Sequence, residues 1–463
     1  MKPKQFLRPV MLAGTGSDVG KSVLATALCR IFRQDGFTPA PFKAQNMALN
    51  SAVTREGGEM GRAQAVQAEA AGVEPHTDMN PVLLKPSSDS TSQVIVGGRA
   101  VGNRNAWEYF RGEGRELLRA EAHAAFDRVA SRFNPVVLEG AGSITELNLR
   151  EGDIVNMSMA RYADAAVVLV ADIDRGGVFA SLYGSVVLQT PEDRARIRGI
   201  IVNKFRGDMR LFDDGRRMIE ELCGVPVLGV VPYFTGIAIE AEDSVVLAGK
   251  RFRAEVGSGR VNIAVVALGR ISNFTDFDTL ERDGRVHLYY TAEPEELLRA
   301  NIIVVPGSKS TLDDLDRLWR SGAAQAIVQA WQGGATVLGI CGGYQMLGRE
   351  VRDPEGVEGG LSEVAGLGLL PVSTVMSGDK VVRQRRFRLS GSGGGLECSG
   401  YEIHNGRTEV GGGEALAVLD DGVPEGCRVQ GASGVSGSAM GTYLHGILDN
   451  APFIEMLLAP FSG

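Results

Sequence analysis

The sequence predicts an α/β protein of two domains, each built on a mostly parallel sheet flanked by helices. Short apolar runs rich in Val and Ile recur between helical patterns, as is typical of strands covered on both faces. The chain has 463 residues, far more than one ordinary domain, and its 44% hydrophobic content suffices for more than one core. The runs lie at residues 10–13, 136–138, 165–171, 200–202, 225–230, 263–268, 302–305 and 337–340.

A charged, glycine-containing stretch separates the two halves. It runs from Ile239 to Arg260, and a new apolar run starts at Val261. Polar segments that contain glycine are typical of linkers between domains. We therefore predict one domain over residues 1–250 and a second over residues 251–463.

Charge and cysteine content exclude several classes of function. The 48 basic and 56 acidic residues give a net charge of -8, which disfavours nucleic acid as a partner. No apolar run is long enough to cross a membrane, and the N-terminus has no secretory pattern. Five widely spaced cysteines cannot all pair, so we expect a reducing compartment, the cytosol.

The first apolar run leads into a glycine-rich turn, GTGSDVGKS at residues 14–22, and then into a helix. Backbone N–H groups and the helix dipole at such a junction surround phosphate oxygens. This is a variant loop, because the usual first glycine is replaced by Thr15 and a glycine stands one residue earlier. A structural turn with an incidental lysine is the weaker alternative. We expect ATP to be bound by Gly14, Thr15, Gly20, Lys21 and Ser22, with Ser22 also holding Mg²⁺.

The loop resembles that of dethiobiotin synthetase and its relatives, ATP enzymes that activate a carboxylate-type substrate. The resemblance covers the first half and implies a second carboxylate ligand for Mg²⁺ after a central strand. The matching residue is Glu139, in VLEGAGS at residues 137–143, and the alternative is a strand-end acid that faces solvent. The resemblance also implies that Asn203 contacts the edge of adenine.

The apolar run at 337–340 enters a turn flanked by glycines, GICGGYQML at residues 339–347, and then a helix. This arrangement is typical of a nucleophile elbow, with Cys341 as the nucleophile. The glycines permit a strained turn, and the helix N-terminus favours the thiolate. Gly342, and Gly307 in a second strand-end loop, are the predicted N–H donors of an oxyanion hole.

A thiol nucleophile requires a base, and the chain contains five histidines. His445 is preferred, because it lies in a late turn where an elbow fold would bring the base beside the thiol. His404 is the rival candidate.

The elbow, the Gly307 loop and the late histidine together resemble class I glutamine amidotransferases. That family has a glutamate two residues after the histidine, where this chain has Ile447. We therefore expect a Cys–His dyad, with Asp449 or Glu402 as acids that could orient the histidine from elsewhere.

Longer strings extend the resemblance to the whole chain: FKAQNM (42–47), EMGRAQ (59–64), MNPVLLKP (79–86), DIDRGG (172–177) and IHNGRT (403–408). Together they resemble the cobyric acid synthase family. This implies glutamine- and ATP-dependent amidation of the b, d, e and g carboxylates of a corrinoid, adenosylcobyrinic acid a,c-diamide. We place the following polar residues at the corrinoid or the acyl phosphate: Gln45, Asn46, Asn50, Arg62, Gln64, Lys85, Asp172, Asp174 and Arg175.

Three alternatives stay open at this point. The chain could be the a,c-diamide synthase of the same pathway, or a nucleotide-dependent switch with a non-catalytic glutaminase half. Residues 59–71 could be an Ala-rich helix whose polar face is merely solvated. If the chain is the expected enzyme, we also expect an internal route for ammonia, because free ammonia is mostly protonated at pH 7.

Overall fold

The computed structural model describes residues 6–86, 91–105, 113–234, 252–257, 259–358, 360–391, 395–431 and 437–461. The chain forms two compact units. The first comprises Met1–Ala48 and Thr54–Glu242, and the second comprises Leu49–Val53 and Asp243–Gly463. The predicted boundary at residue 250 lies outside the described residues and stays a prediction. No pattern in the sequence indicated that Leu49–Val53 belongs to the second unit.

The first part of the chain contains twelve labelled strands and seven α-helices among its described residues, and β4 belongs to the second unit. In chain order they are β1 (Val10–Gly14), α1 (Lys21–Gln34), β2 (Ala40–Phe42), β3 (Gln45–Met47), β4 (Ser51–Val53), β5 (Glu59–Gly61), α2 (Arg62–Ala71), β6 (Val82–Pro86), β7 (Thr91–Val96), β8 (Arg99–Asn105), α3 (Glu113–Ala130), β9 (Val136–Glu139), α4 (Met157–Tyr162), β10 (Ala166–Asp172), α5 (Val178–Val187), α6 (Pro191–Arg196), β11 (Ile197–Phe205), α7 (Asp213–Cys223) and β12 (Val227–Pro232).

A six-stranded sheet forms the centre of the first unit, in the order β12-β11-β10-β1-β9-β2. All its neighbouring strands are parallel. Leu24, Ala25 and Cys29 lie on one face of α1 and pack on Leu12 and Val168 of the sheet. A smaller sheet, β3-β6-β7-β8, lies in the same unit. The apolar side chains of α1 therefore recur at helical spacing because one face of the helix packs on the parallel sheet.

The second unit contains the remaining elements. In chain order they are β13 (Val261–Val266), β14 (Ile271–Ser272), α8 (Asp278–Arg282), β15 (Val286–Thr291), α9 (Pro294–Leu297), β16 (Ile302–Val305), β17 (Gly307–Ser308), α10 (Thr311–Ser321), α11 (Ala323–Gln332), β18 (Thr336–Ile340), α12 (Gly342–Met346), β19 (Glu350–Arg352), β20 (Glu363–Ala365), β21 (Val372–Val375), β22 (Val381–Leu389), β23 (Glu397–His404), β24 (Arg407–Val410), β25 (Ala417–Leu419), β26 (Pro424–Glu425), β27 (Cys427–Gln430), β28 (Ser438–Thr442), β29 (Leu444–His445) and α13 (Ala451–Leu458).

The main sheet of the second unit has the order β15-β13-β16-β18-β28-β27. Its first five strands are parallel, and β27 is antiparallel to β28. Two further sheets, β26-β25-β22-β23-β29 and β20-β19-β21-β24, belong to this unit. Residues of the early segment contribute to it: Ser51 N donates to Asn273 Oδ1 at 3.1 Å, and Gln384 Nε2 donates to Val53 O at 2.8 Å.

The predicted fold class is confirmed. All eight apolar runs overlap strands of the two main sheets, namely β1, β9, β10, β11, β12, β13, β16 and β18. Strands β2, β15, β27 and β28 of these sheets were not identified from the sequence. All five cysteines are buried and unpaired. Within the described ranges, no helix is long and apolar enough to cross a membrane.

Candidate functional site

The glycine-rich loop follows β1 and ends at Gly20, whose φ of 97° directly precedes α1. Lys21 folds back over the loop, where its Nζ donates to Gly16 O at 2.9 Å and to Gly142 O at 3.0 Å. A Cβ at Gly14 would lie 2.7 Å from this Nζ. The displaced glycine of the variant loop is therefore at the position where the lysine needs space.

Glu139 ends β9 and is the centre of a buried polar cluster. Its Oε1 accepts from Ser22 Oγ and from Lys43 Nζ, both at 2.9 Å, and its Oε2 accepts from Gln67 Nε2 at 2.6 Å. Glu139 is only 1% exposed, so the alternative of a solvent-facing acid is wrong. Burial alone would raise the pKa of Glu139, but Lys43, Gln67 and Ser22 together hold that pKa below its usual value. The carboxylate is thus ionised at neutral pH.

The Ser22–Glu139 pair has a spacing suited to Mg²⁺. Adjacent ligands of an octahedral Mg²⁺, with bonds of about 2.1 Å, lie about 3.0 Å apart. Ser22 Oγ and Glu139 Oε1 are separated by 2.9 Å. These two residues could therefore hold Mg²⁺, with water and phosphate oxygens at the other positions.

Asn203 lies on β11 beneath the glycine-rich loop. Its Nδ2 donates to Val19 O at 2.8 Å, and its buried Oδ1 has no hydrogen-bond partner in the described part of the chain. A free acceptor at this place suits the amino group of adenine. The contact with adenine stays a prediction.

Four of the polar residues assigned to the substrate are buried in pairs within the first unit. Asn46 Nδ2 donates to Gln64 Oε1 at 3.0 Å, Lys85 Nζ donates to Glu59 Oε1 at 2.8 Å, and Gln45 accepts from an arginine of α3. Arg62, at the start of α2, is partly exposed.

The other assigned residues do not join this group. Asp172 is buried and accepts from Lys204 Nζ at 2.9 Å. Asp174 pairs with Arg206, and the exposed Arg175 lies 3.4 Å from Asp18. Asn50 falls in the second unit. The whole set remains a prediction as a corrinoid or acyl-phosphate site.

Two polar residues of α2 are buried. The side chains of Gln64 and Gln67 are both 0% exposed. The alternative of a helix with a merely solvated polar face is therefore wrong for these two residues.

Cys341 occupies the predicted elbow between β18 and α12. Its φ of 54° is unusual for a residue with a side chain and marks a strained turn. The thiol is 7% exposed, and its Sγ lies 3.5 Å from Ile403 O. A Cβ at Gly343 would lie 1.8 Å from Val305 O, so only glycine allows the elbow to pack this closely on β16.

His445 is oriented by an acid that the sequence did not indicate. Its Nδ1 lies 2.7 Å from Asp276 Oδ2, and Asp276 Oδ1 accepts from Gly446 N at 3.0 Å. Both side chains are buried. The expected Cys–His pair therefore has an orienting acid, but it is neither Asp449 nor Glu402: Asp276 supplies the carboxylate from a 3₁₀ turn at Phe274–Phe277.

The two acids considered from the sequence have other partners. Glu402 accepts from Arg385 Nε at 2.5 Å, and Asp449 accepts from Thr279 Oγ1 at 2.6 Å. Ile447, at the position of the usual family acid, is fully buried.

The environment of His445 favours its protonated form. Complete burial lowers the pKa, but the Asp276 carboxylate and the Cys341 thiol outweigh burial and raise it to about 10. Nε2 is buried and has no hydrogen-bond partner among the residues that the structure describes. This nitrogen is therefore available to exchange a proton with the thiol or with a leaving group.

The rival base, His404, lies in a different environment. Its ring stacks on Tyr443 at 3.7 Å. Burial, together with the nearby His445, lowers the pKa of His404 to about 4. Because His404 has no carboxylate contact like that of His445 with Asp276 among the described residues, the geometry favours His445 as the partner of the thiol.

The predicted oxyanion donors lie close together. A Cβ at Gly342 would be 2.8 Å from Ser308 N, and a Cβ at Gly307 would be 3.5 Å from His445 Cε1. The loop after β16 thus borders both the elbow and the base. The donor roles of Gly307 and Gly342 stay predictions.

Sequence reasoning missed three residues of these clusters. Lys43 directly follows β2 of a parallel sheet, and ligands and catalytic groups collect at such carboxyl ends, so its position was the available signal. Asp276 is separated from β13 by the short antiparallel strand β14, so no comparable signal marked it. Gln67 had only a weak signal, an amide on an Ala-rich helix near the end of the EMGRAQ string.

The chain is similar to known proteins in both halves. Residues 10–245 match the family described as "CobQ/CobB/MinD/ParA nucleotide binding domain", and residues 262–453 match the "CobB/CobQ-like glutamine amidotransferase domain". A cobyric acid synthase of Phocaeicola vulgatus is 63% identical over 99% of this chain and 91% of its own length. One of Bacteroides fragilis is 63% identical over 98% and 91%, and one of Parabacteroides distasonis is 52% identical over 99% and 92%.

A nucleotide-binding unit joined to a glutaminase unit defines a glutamine-dependent amidoligase. At these levels of identity and coverage, the chain belongs to the cobyric acid synthase family.

The Asp276–His445 contact predicts a shift in the pH dependence of glutamine hydrolysis. Because the pKa of His445 is raised to about 10, loss of its proton should limit kcat/KM only near that pH. Asp276→Asn removes the main cause of the increase. The alkaline limb should therefore move to lower pH, and kcat/KM at pH 8 should fall about 10²-fold or more.

Glutamate release measured from pH 6 to pH 10.5 tests this prediction. Asp449→Asn is the matched control, because Asp449 is bonded to Thr279. The alkaline limb of the pH profile of this variant should stay at the wild-type pH. An unchanged alkaline limb in Asp276→Asn would show that Asp276 does not act on the base.

Proposed function

We propose that the chain amidates the b, d, e and g carboxylates of adenosylcobyrinic acid a,c-diamide, using ATP and glutamine, to give adenosylcobyric acid. One observation carries the proposal. A chain of this family retains, in one unit, a phosphate loop beside the buried Glu139 and, in the other, a thiol with the His445–Asp276 pair. The a,c-diamide synthase alternative is not favoured, because the relatives at 52–63% identity are cobyric acid synthases.

The first unit would activate the carboxylate. A carboxylate is a poor electrophile at neutral pH, so its oxygen attacks the γ-phosphorus of ATP, and ADP leaves to give an acyl phosphate. Lys21, which is bonded to Gly142 O, and Lys43, which is bonded to Glu139, would supply positive charge for the phosphoryl group. Mg²⁺ held by Ser22 and Glu139 would neutralise phosphate charge. Ammonia then attacks the acyl carbon, and phosphate leaves as the amide forms.

The second unit would make the ammonia. The Cys341 thiolate attacks the amide carbon of glutamine, and the N–H groups of Gly342 and Gly307 face the oxyanion that forms. His445, held protonated by Asp276, donates its proton to the departing ammonia. Water then hydrolyses the thioester to glutamate and restores the thiol. The intact pair of His445 and Asp276 argues against a non-catalytic switch.

Glutamine and a corrinoid are the partners this chemistry requires. We place the reaction in the cytoplasm, where ATP and glutamine are available and where the five unpaired thiols stay reduced. The internal route for ammonia stays a prediction.

Replacing the nucleophile should separate the two half-reactions. Cys341→Ala should abolish amidation driven by glutamine and leave amidation driven by added ammonium at alkaline pH, because the first unit keeps its residues. Corrinoid products resolved by chromatography and mass measure both activities. Cys398→Ala, at another buried cysteine of the second unit, is the control and should keep both. Loss of ammonia-driven amidation in Cys341→Ala would mean that the thiol has a structural role.

Replacing the loop lysine should affect the first unit and leave the glutaminase reaction of the second. Lys21→Ala should remove glutamine-driven and ammonia-driven amidation alike, because neither proceeds without the acyl phosphate. Slow glutamine hydrolysis by the same variant, measured as glutamate release, shows that the second unit is folded. Retained amidation by Lys21→Ala would contradict the assignment of the phosphate loop.

A further inference from the structure

Helix α2 places two glutamines, three residues apart, in the interior of the first unit. Gln64 and Gln67 each have one amide atom that makes a hydrogen bond and one that makes none among the described residues. The atoms without a partner are Gln64 Nε2 and Gln67 Oε1, and both are buried. Buried polar atoms are nearly always hydrogen-bonded in folded proteins, so each indicates a partner supplied by something that binds.

The hydrogen bond made by Gln67 Nε2 indicates what the unpartnered Oε1 of the same amide faces. Nε2 donates to Glu139 Oε2 at 2.6 Å, while Oε1 of the same carboxylate lies 2.9 Å from Ser22 Oγ. The amide thus contacts the carboxylate that would hold Mg²⁺. Protein-bound Mg²⁺ keeps several of its waters, and each is a hydrogen-bond donor in need of an acceptor. The carbonyl oxygen of Gln67 is such an acceptor.

We propose that Gln67 is a positioning residue for the metal and its nucleotide. Its Nε2 fixes Glu139 so that one carboxylate oxygen faces the metal, and its Oε1 accepts a hydrogen bond from a Mg²⁺-bound water. This inference rests on the proposed function, because it requires Mg²⁺ beside Ser22 and Glu139.

An amide is the group that fits both tasks. It donates at one end and accepts at the other, and it adds no charge beside Glu139. A carboxylate at the same position would accept from the water but would repel Glu139. An apolar side chain of the same length would do neither. Outer-sphere partners of this kind contribute to metal affinity by orienting the ligand itself.

Gln189 is a matched comparison in the same unit. It is also buried, and its Nε2 donates to Ile144 O at 3.0 Å and to Ser185 O at 3.1 Å. A change at Gln189 therefore removes the same kind of side chain without removing a bond to the metal carboxylate.

The test uses the full chain with Mn²⁺ as the probe. Free Mn²⁺ is measured by electron paramagnetic resonance in the presence of saturating AMP-PNP, and binding curves are compared among variants. Gln67→Met should weaken Mn²⁺ binding about 10-fold or more. Gln189→Met should bind Mn²⁺ as the wild type does. Gln67→Glu keeps the acceptor but loses the bond to Glu139, so it should weaken Mn²⁺ binding less than Gln67→Met does.

Two results would overturn the inference while leaving the proposed function intact. One is wild-type Mn²⁺ affinity in Gln67→Met, and the other is equal weakening in Gln67→Met and Gln67→Glu, which would mean that only the bond to Glu139 matters. If Gln67→Met does not fold, as judged by thermal unfolding, Gln67→Asn draws the amide back by one methylene and should also weaken binding. If AMP-PNP does not increase Mn²⁺ binding by the wild type, the metal–nucleotide site of the proposed function is itself wrong.

Discussion

The common carboxyl edge of a parallel sheet is the constraint on which the rest of this structure depends. In the main sheet of each unit, all strands except β27 run in one direction, so their carboxyl ends, and the loops that follow them, lie along one edge. Glu139 and the loop of Lys21 come from neighbouring strands of the first sheet. Cys341 and His445 follow neighbouring strands of the second. Residues far apart in sequence meet because the sheet places them there.

Each unit also contains a buried carboxylate, and an ionised side chain without partners is costly in the interior. Glu139 accepts hydrogen bonds from Ser22, Lys43 and Gln67. Asp276 pairs with the imidazole of His445 and accepts from one backbone N–H. In both units, the partners that make burial of the carboxylate tolerable also fix its direction. Stability of the site and orientation of its chemistry therefore have the same physical origin.

Features with a local pattern could be predicted from the sequence. The apolar runs predicted the two parallel sheets, and glycines flanking Cys341 predicted the elbow whose φ of 54° is observed. Asp276 could not be found in this way, because it is 169 residues from His445 and no local spacing links them. The placement of Leu49–Val53 in the second unit and the buried amide of Gln67 also depend on tertiary packing. Such contacts leave no periodicity in the chain.

In the proposed reaction, the first unit forms an acyl phosphate, and ammonia made in the second displaces its phosphate. The most direct measurement follows oxygen. The corrinoid is labelled with ¹⁸O in its free carboxylates, amidated with ATP and glutamine, and the released phosphate is analysed by ³¹P nuclear magnetic resonance. One ¹⁸O should appear in phosphate for each amide formed, because the acyl phosphate keeps one carboxylate oxygen on phosphorus. Unlabelled phosphate, or label recovered in AMP, would contradict it.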